Sequence, residues 1–243
     1  MRQRYIRAAC AAILAGLGAH ARGAIIFDDF NTALGHFNQP PNFSSTNTSL
    51  DIANSSSTRI TTDSEEGTAS DRLIFTHDTT TTTALRVRFV SGSGTPANNT
   101  AFTLTAGTDG FIGFYAKNST PGWNATIALD GAGNTGAEMD GGVQRTLSTD
   151  GQWHLYEWNL DLSTDWTNVP GIGGGHTGGP QAVSHTIDSI FFFGPTTQGA
   201  SNTINLDFVA LNDQGSVAGL VPEPGMFSLA GLAMLGLARR RRA

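Results

Sequence analysis

The sequence predicts an all-β fold, in which two antiparallel sheets pack face to face as a sandwich. Residues 24–213 contain no stretch of sustained helical periodicity. Short runs of alternating apolar and polar residues recur instead, and Gly, Asn, Asp, Ser and Thr bound them. Many short strands separated by turn residues are typical of an antiparallel β-sandwich, and they favour a jelly roll.

The expected strands follow one another along the chain. The clearest covers residues 84–91, where Leu85, Val87 and Phe89 face one way and Arg86 and Arg88 face the other. The full set of expected strands is 24–30, 72–76, 84–91, 101–106, 110–116, 124–129, 152–162, 186–193 and 203–211. Two glycine-rich stretches, 131–142 and 171–179, are expected to be loops at the ends of the sandwich. The stretch 42–62 is rich in Ser, Thr and Asn, and we expect poor order there.

The first 21 residues predict a secretory signal peptide. Three arginines among the first seven residues precede an apolar run, and Ala19-His20-Ala21 has small residues where a signal peptidase cleaves. An uncleaved membrane anchor is the alternative, but the apolar run is shorter than the roughly 20 residues that a span needs. The one cysteine, Cys10, lies here. Cleavage after Ala21 would therefore leave no disulfide, zinc thiolate or cysteine nucleophile.

The last 23 residues, 221–243, contain three consecutive pieces. A proline-flanked acid comes first, an apolar segment at 226–238 follows, and an arginine cluster closes the chain; the residues are Pro222, Glu223, Pro224, Arg239, Arg240, Arg241 and Arg242. The apolar segment partitions into a bilayer, and arginines stay on the cytoplasmic side. As a helix of about 1.5 Å per residue it would span roughly 20 Å, short of the ~30 Å hydrocarbon core. We therefore expect transient membrane contact.

This order of pieces resembles the PEP-CTERM sorting signal of Gram-negative bacteria that make exopolysaccharide. The resemblance implies that an exosortase, a membrane cysteine protease, recognises the tail and processes it near Pro222 to Pro224. The apolar segment is shorter than is usual in that family. An ordinary tail anchor is the alternative, although a proline-glutamate-proline block has no purpose in one. The resemblance concerns destination and not activity.

The charge distribution excludes one class of partner. The chain has a net charge of −6, but seven of its 14 basic residues lie at the two ends. Residues 8–238 hold seven basic and twenty acidic residues, a net charge of −13. A body of that sign repels phosphate backbones and anionic membranes, so we expect no binding to nucleic acid.

Two segments carry a weaker resemblance at the level of the fold. Residues 151–160, Gly-Gln-Trp-His-Leu-Tyr-Glu-Trp-Asn-Leu, resemble the Gly-x-Trp strand of galactose-binding-like jelly rolls, the fold of many carbohydrate-binding modules. Residues 187–193 and 204–211 resemble the last strand pair of that fold. The resemblance implies that the first and last strands are neighbours and that carboxylates on them hold a structural calcium ion. Asp28 or Asp29 with Asp207 are the candidates; alternatively, these acids merely end strands and cap turns.

Sugar binding by a sandwich needs aromatic faces for the C–H surface of a sugar, together with hydrogen-bonding amides and carboxylates. Trp123 and Trp166 lie in or beside expected loops and are our candidates for sugar contact. Trp153 and Trp158 are five apart in one strand, hence on opposite faces, so at least one belongs to the core. For any single tryptophan, burial in the core is the alternative.

Catalysis is not expected. Glu65 with Glu66, Asp28 with Asp29, or Glu157 with an acid on another strand could be imagined as a glycosidase pair, but no spacing places two of them in one cleft. The histidines outside the signal peptide lack metal-ligand spacing, and there is no Gly-x-Ser-x-Gly sequence.

The sequence thus predicts a signal peptide at 1–21, a sandwich domain at 22–211, a linker at 212–220 and a sorting tail at 221–243. A signal helix and a C-terminal hydrophobic helix would flank the sandwich. We expect an exported protein of the bacterial surface, outer membrane or exopolysaccharide matrix, with a structural or carbohydrate-binding role. Its processing partners would be signal peptidase and exosortase. The alternative is a secreted hydrolase or lyase acting on glycans.

Overall fold

The computed structural model describes residues 24–41, 46–91, 100–104, 110–131, 139–168, 179–180 and 183–221. Within them the chain forms two antiparallel sheets and three short 3₁₀ turns, so the predicted all-β sandwich is confirmed. The predicted signal and C-terminal helices lie outside the described residues. None of the described helical turns is long or apolar enough to cross a membrane.

The first sheet contains the longest strand of the sandwich. Its strands, in spatial order, are β10 (Trp153–Asn159), β6 (Phe111–Asn118), β13 (Ser201–Asn212), β3 (Ser70–Thr76) and β2 (Ser56–Ile60), and β1 (Ala24–Asp28) also pairs with β13. The first and last strands are therefore neighbours, with Ile25 opposite Leu211.

The second sheet is centred on β12 (Ser184–Gly194), which pairs with β7 (Asn124–Gly131) on one side and β4 (Leu85–Val90) on the other. Its remaining strands are β5 (Phe102–Thr103), β8 (Asp140–Gly142), β9 (Arg145–Thr146) and β11 (Trp166–Asn168). In β4 the predicted alternation is confirmed: Leu85, Val87 and Phe89 enter the core. Arg88 faces away and forms an ion pair with Asp188, 2.6 Å between Nη2 and Oδ1.

The core lies between the two sheets and is rich in aromatic side chains. Phe75 of the first sheet lies 5.3 Å from Phe192 of the second, measured between ring centroids. Trp158 and Phe114 contact each other at 5.7 Å, and both are fully buried. Such tilted ring pairs contribute roughly 0.5–1.5 kcal/mol each beyond the area that they bury.

Every one of the nine expected strands is present, but four strands were not expected: β2, β8, β9 and β11. The prediction of poor order over 42–62 was wrong for its second half. There the 3₁₀ turn Ile52–Asn54 leads into β2, and Asp51 caps the turn by accepting from the backbone N–H of Ala53 and Asn54. β2 is an edge strand, so its polar residues suit its position.

The segment predicted as a linker, 212–220, is folded against the first sheet. β13 continues to Asn212, and the 3₁₀ turn Val217–Leu220 follows it. Val217 is fully buried beside Tyr115 and Phe208 on the outer face of the sheet. The carboxylate of Glu157 accepts hydrogen bonds from the Ser216 hydroxyl and from the Val217 backbone N–H. This correction arises because Val217 and Leu220 can bury apolar surface on an outer sheet face.

Candidate functional site

A cavity of about 440 Å³ opens at one end of the sandwich. Three connections of the chain build it: the two ends of the connection from β3 to β4, the turn between β6 and β7, and the hairpin between β12 and β13. Its lining residues are His77, Leu85, Thr120, Pro121, Gly122, Trp123, Pro195, Thr197, Ala200, Ser201 and Asn202. The volume lies within the roughly 300–1,000 Å³ that is usual for small-molecule sites.

Trp123 forms part of the buried floor of this cavity. Its side chain is 3% exposed and stacks on Phe75, with ring centroids 5.7 Å apart. Gly194 packs against the indole: a Cβ there would lie 2.7–2.9 Å from three ring atoms. Trp123 is therefore a core residue, as the alternative interpretation had it, and it also lines the cavity. Its contact with a sugar stays a prediction.

A network of amides holds the polar side of the floor. Asn118 Nδ2 donates to the carbonyl oxygens of Thr120 and Ser148, at 2.8 and 3.2 Å. Asn118 Oδ1 accepts from the Thr120 backbone N–H and from Asn202 Nδ2, each at 3.2 Å. Asn202, which begins β13, is thereby fixed in position at the cavity.

Two buried polar atoms of the lining residues have no hydrogen-bond partner in the described part of the chain: Trp123 Nε1 and Asn202 Oδ1. Buried polar groups in native proteins are nearly always paired with protein or with water. One of these atoms is a donor and the other an acceptor, so a hydroxyl-bearing ligand has the chemistry to satisfy both.

His77 belongs to the buried part of the lining, but its ring serves the fold. Nδ1 lies 2.8 Å from the Asp78 carbonyl oxygen, and Nε2 lies 2.8 Å from that of Thr83. Its backbone also bonds to Ala200 and Gly199 of the β12–β13 hairpin. His77 therefore ties two walls of the cavity together and presents neither ring nitrogen to a ligand.

The rim is exposed and mixes hydroxyls with apolar surface. Pro121, Thr197, Ala200 and Ser201 lie at the solvent side, and Thr120 and Pro195 are half-buried. An indole below and hydroxyls, amides and prolines around it are suited to a ligand with both C–H faces and hydroxyl groups.

Trp166, the second predicted sugar contact, is a core residue, so this prediction was wrong. It is 7% exposed, packs in the main core, and donates its N–H to the Asn159 carbonyl oxygen at 2.7 Å. The spacing of the other two tryptophans was interpreted correctly. Trp158 is fully buried between the sheets, whereas Trp153 lies on the outer face and donates to Asp63 Oδ1.

The predicted calcium ligands are each engaged in hydrogen bonds of the fold. Asp28 Oδ2 accepts from the backbone N–H of His36 at 2.9 Å and lies 3.2 Å from its ring Nδ1. Asp29 accepts from the Asn31 backbone N–H. Asp207 accepts from the backbone N–H groups of Glu65, Glu66 and Phe208. No group of three or more His, Cys, Asp or Glu side chains within the described residues is placed to hold a metal ion.

Three buried carboxyl groups of the first sheet, those of Asp28, Asp71 and Asp207, have raised pKa values. Desolvation raises the pKa of Asp71 to about 7, although a hydrogen bond from Ser57 opposes it. Desolvation likewise raises the pKa of Asp207 to about 7 and that of Asp28 to about 6. Each group also accepts hydrogen bonds, which oppose the effect of burial.

The imagined acid pairs are also engaged elsewhere. The backbone N–H groups of Glu65 and Glu66 donate to the Asp207 carboxylate. The Glu66 carboxylate accepts from Asn31 Nδ2, and the Glu157 carboxylate accepts from the Val217 N–H of the C-terminal turn. The lining of the cavity contains none of these acids.

The sequence pointed to Trp123 but not to its neighbours. Asn202 and His77 come from connections 80 or more residues away from one another in the chain, and neither lies in a local motif. A usable signal was Gly194-Pro195 at the end of a strong strand, because a glycine inside a strand pattern indicates close approach by another group.

Solved structures of several proteins resemble this chain at low sequence identity. A family 11 carbohydrate-binding module from Clostridium thermocellum, in complex with a β-1,3-1,4-mixed-linked tetrasaccharide, is 15% identical, with 79% of this chain and 96% of that chain covered and a TM-score of 0.45. A family 11 module of a cellulosomal cellulase of the same organism is 16% identical, with 81% and 98% covered and a TM-score of 0.46. An endo-β-1,4-glucuronan lyase from the fungus Trichoderma reesei is 17% identical, with 73% and 92% covered and a TM-score of 0.36.

No curated protein sequence matches the chain. The sorting residues Pro222, Glu223, Pro224 and Arg239 to Arg242 lie outside the described residues. A family model nevertheless matches residues 220–242 and confirms the resemblance of the tail: the chain carries a PEP-CTERM protein-sorting motif, the signal of an exported, surface-associated protein that exosortase processes.

Proposed function

We propose that this exported protein binds glycans through the cavity at the end of its sandwich, and that it does so at the cell surface or in the exopolysaccharide matrix. The observation that carries the proposal is the cavity itself, in which a buried indole lies beneath hydroxyl, amide and proline groups. Aromatic rings bind the C–H faces of sugars, and the surrounding polar groups bind their hydroxyls.

The sorting motif supports this location of the function. A PEP-CTERM tail at residues 220–242 is the sorting motif of an exported protein, and the ligands that such a protein meets are those of the envelope and matrix. The acidic body, with a net charge of −13 over residues 8–238, disfavours nucleic acid and anionic lipid. A structural role in the matrix follows from binding of this kind, because a sandwich held to polysaccharide becomes part of the matrix.

A glycan array tests the proposal, with a variant that fills the mouth of the cavity. Ala200→Tyr places a large side chain at the exposed rim, and we expect it to weaken binding at least tenfold. Gln198→Tyr is the matched control, because Gln198 is exposed in the same hairpin but does not line the cavity. Equal loss in both variants, or no binding of the wild type to any glycan, would contradict the proposal.

The same samples test the alternative of catalysis. A reducing-sugar assay and an absorbance assay for unsaturated products would detect hydrolase or lyase turnover. Among the described residues, the cavity lining holds neither a pair of carboxylates nor an arginine or lysine, and such groups are the usual acids, bases and charge stabilisers of these reactions. We therefore expect binding without turnover, and turnover that Ala200→Tyr abolishes would replace the binding proposal by an enzymatic one.

A further inference from the structure

The orientation of the Asn202 amide is determined by its neighbour. Asn118 Nδ2 has two carbonyl oxygens as acceptors, and Asn118 Oδ1 has a backbone N–H as a donor, so the Asn118 amide can lie only one way round. Its Oδ1 must then accept from Asn202 through Nδ2, at 3.2 Å. Asn202 consequently keeps its carbonyl oxygen, Oδ1, for another partner.

That carbonyl oxygen is buried and has no donor among the described residues. Asn202 is 5% exposed, and Trp123, with its unpartnered Nε1, is 3% exposed. Both residues line the same cavity. An unpaired buried acceptor costs free energy until a donor reaches it, and an unpaired N–H does so until an acceptor reaches it.

A hydroxyl group meets both needs, because it donates one hydrogen bond and accepts others. A carboxylate meets only one of them. It accepts from Trp123, but it has no proton for Asn202 Oδ1 and would place a negative oxygen against the negative end of the amide dipole. The described residues of the lining offer it no lysine or arginine, and both His77 ring nitrogens face backbone carbonyls.

We infer that the cavity binds the hydroxyl groups of a sugar, with Trp123 Nε1 as the donor and Asn202 Oδ1 as the acceptor. The cavity thereby selects neutral saccharides over uronic acids. The inference rests on the proposed glycan binding and names the class of glycan. A hydroxyl that donates to Asn202 Oδ1 and a hydroxyl oxygen that accepts from Trp123 Nε1 would complete the hydrogen bonding of the floor. The net charge of −13 over residues 8–238 acts in the same direction at longer range.

Matched oligosaccharides test this selectivity. Cellotriose and the β-1,4-glucuronan trimer differ only in a hydroxymethyl or a carboxylate at C6, as do β-1,4-mannotriose and the mannuronan trimer. On an array that holds these pairs among other neutral and uronic members, we expect binding to be confined to neutral members, with at least a tenfold preference within the pair that binds. Equal or tighter binding of the uronic member overturns the inference but leaves glycan binding standing. No binding anywhere on the array overturns the proposed function instead.

Deoxyfluoro sugars test the hydrogen-bond donor. Fluorine in place of a hydroxyl keeps nearly the same size but cannot donate to Asn202 Oδ1. For the neutral sugar that binds, we expect one fluorinated position to lose at least tenfold in affinity, and the same loss to persist in Trp123→Phe, which lacks only the other contact. If every monofluorinated derivative binds as the parent does, no hydroxyl donates to Asn202 and the inference fails.

A substitution at the rim should weaken the preference for neutral sugars if the cavity is the binding site. Thr197 is exposed at the rim, and Thr197→Lys would supply the cation that the lining lacks. We expect the preference for the neutral member to fall at least threefold at low salt and to be restored at high salt. Gln198→Lys is the control, because Gln198 is exposed in the same hairpin but does not line the cavity, and it should change the preference less than Thr197→Lys does. An unchanged preference in Thr197→Lys would place the selecting site elsewhere.

Discussion

Buried polar groups near the two ends of β3 differ in whether they have a hydrogen-bond partner among the described residues. At its start Asp71 is fully buried, yet Ser57 donates to both of its carboxyl oxygens. Just beyond its end lies the cavity, where Trp123 Nε1 and Asn202 Oδ1 are buried without a partner. The first end has its hydrogen bonds made within the fold, whereas the two atoms at the second end lack a partner among the described residues and are the groups to which the proposed ligand would bond.

This difference predicts which substitutions in the sandwich change stability and which change ligand binding. Paired buried groups, such as Arg88 with Asp188, contribute to stability. Removal of one partner leaves the other buried without that contact, which costs free energy. Buried groups that are unpaired already carry their desolvation cost in the free protein. Substitution at the cavity should therefore change binding more than stability, and substitution at the paired sites should do the reverse.

The largest effect is expected at the buried ion pair on the second sheet. Asp188→Ala leaves the Arg88 guanidinium, 7% exposed, without the carboxylate that it now contacts with two nitrogens. Loss of one partner of a buried pair costs about 3–5 kcal/mol. Urea unfolding would measure this free energy. The double variant Arg88→Met with Asp188→Leu should recover much of it, and a double variant no more stable than Asp188→Ala would show that the charge was not the cause.

The next largest effect is a dependence of stability on pH. The pKa of Asp71, raised to about 7 by burial, lies above that of an unfolded chain, about 3.9. The folded state thus binds more protons than the unfolded state between about pH 4 and pH 7, so the free energy of unfolding falls as the pH rises through that window. Asp207 acts in the same direction.

Asp71→Asn tests this dependence, because its side chain cannot ionise. We expect the variant to flatten the fall between pH 4 and pH 7 and to gain stability relative to the wild type at pH 8, by as much as a few kcal/mol at about 1.4 kcal/mol per pKa unit. Asp213→Asn, at a half-exposed position, is the control. An unchanged slope in Asp71→Asn would mean that Asp71 is ionised in the folded protein at pH 5.

How much of this arrangement the sequence could predict depends on the range of the interactions. β4 and β12 were expected because alternation with a period of two is local and visible in Leu85, Val87 and Phe89. β2 was not expected, since the edge strand Ser56–Ile60 has polar residues on both faces. The docked turn at Val217 was taken for a linker, because its partner Glu157 lies 60 residues earlier in the chain.

The cavity shows the same limit. Trp123 was identified because it lies beside an expected loop and offers an aromatic face, but three separate connections had to meet before it lined a cavity. Trp166 satisfied the same criterion and proved to be core. Composition and spacing identify a candidate side chain, whereas only the packing of distant strands shows whether space remains beside it.

A smaller effect is expected at the C-terminal turn, which belongs with the paired groups. Glu157→Ala removes the acceptor of the Val217 N–H and the Ser216 hydroxyl. We expect this to cost about 1 kcal/mol locally, which would speed hydrogen exchange of the Val217 amide about fivefold. Asp51→Ala is the control, because it uncaps the separate turn Ile52–Asn54. Unchanged exchange at Val217 would show that apolar packing alone holds the turn.

The smallest change in stability is expected at the cavity, and it makes the comparison sharpest. Trp123→Phe and Trp166→Phe each remove an N–H from a tryptophan that is at most 7% exposed. At Trp166 the lost N–H donates to Asn159, so we expect a cost of about 1–3 kcal/mol with glycan binding unchanged. At Trp123 the lost N–H is unpaired, so the loss of a desolvated donor offsets the smaller ring, and stability should stay within about 1 kcal/mol. Glycan affinity should nevertheless fall at least fivefold there. Thermal unfolding and calorimetric titration of both variants measure the two quantities, and a Trp123→Phe protein that loses stability but not affinity would assign Trp123 to the core alone.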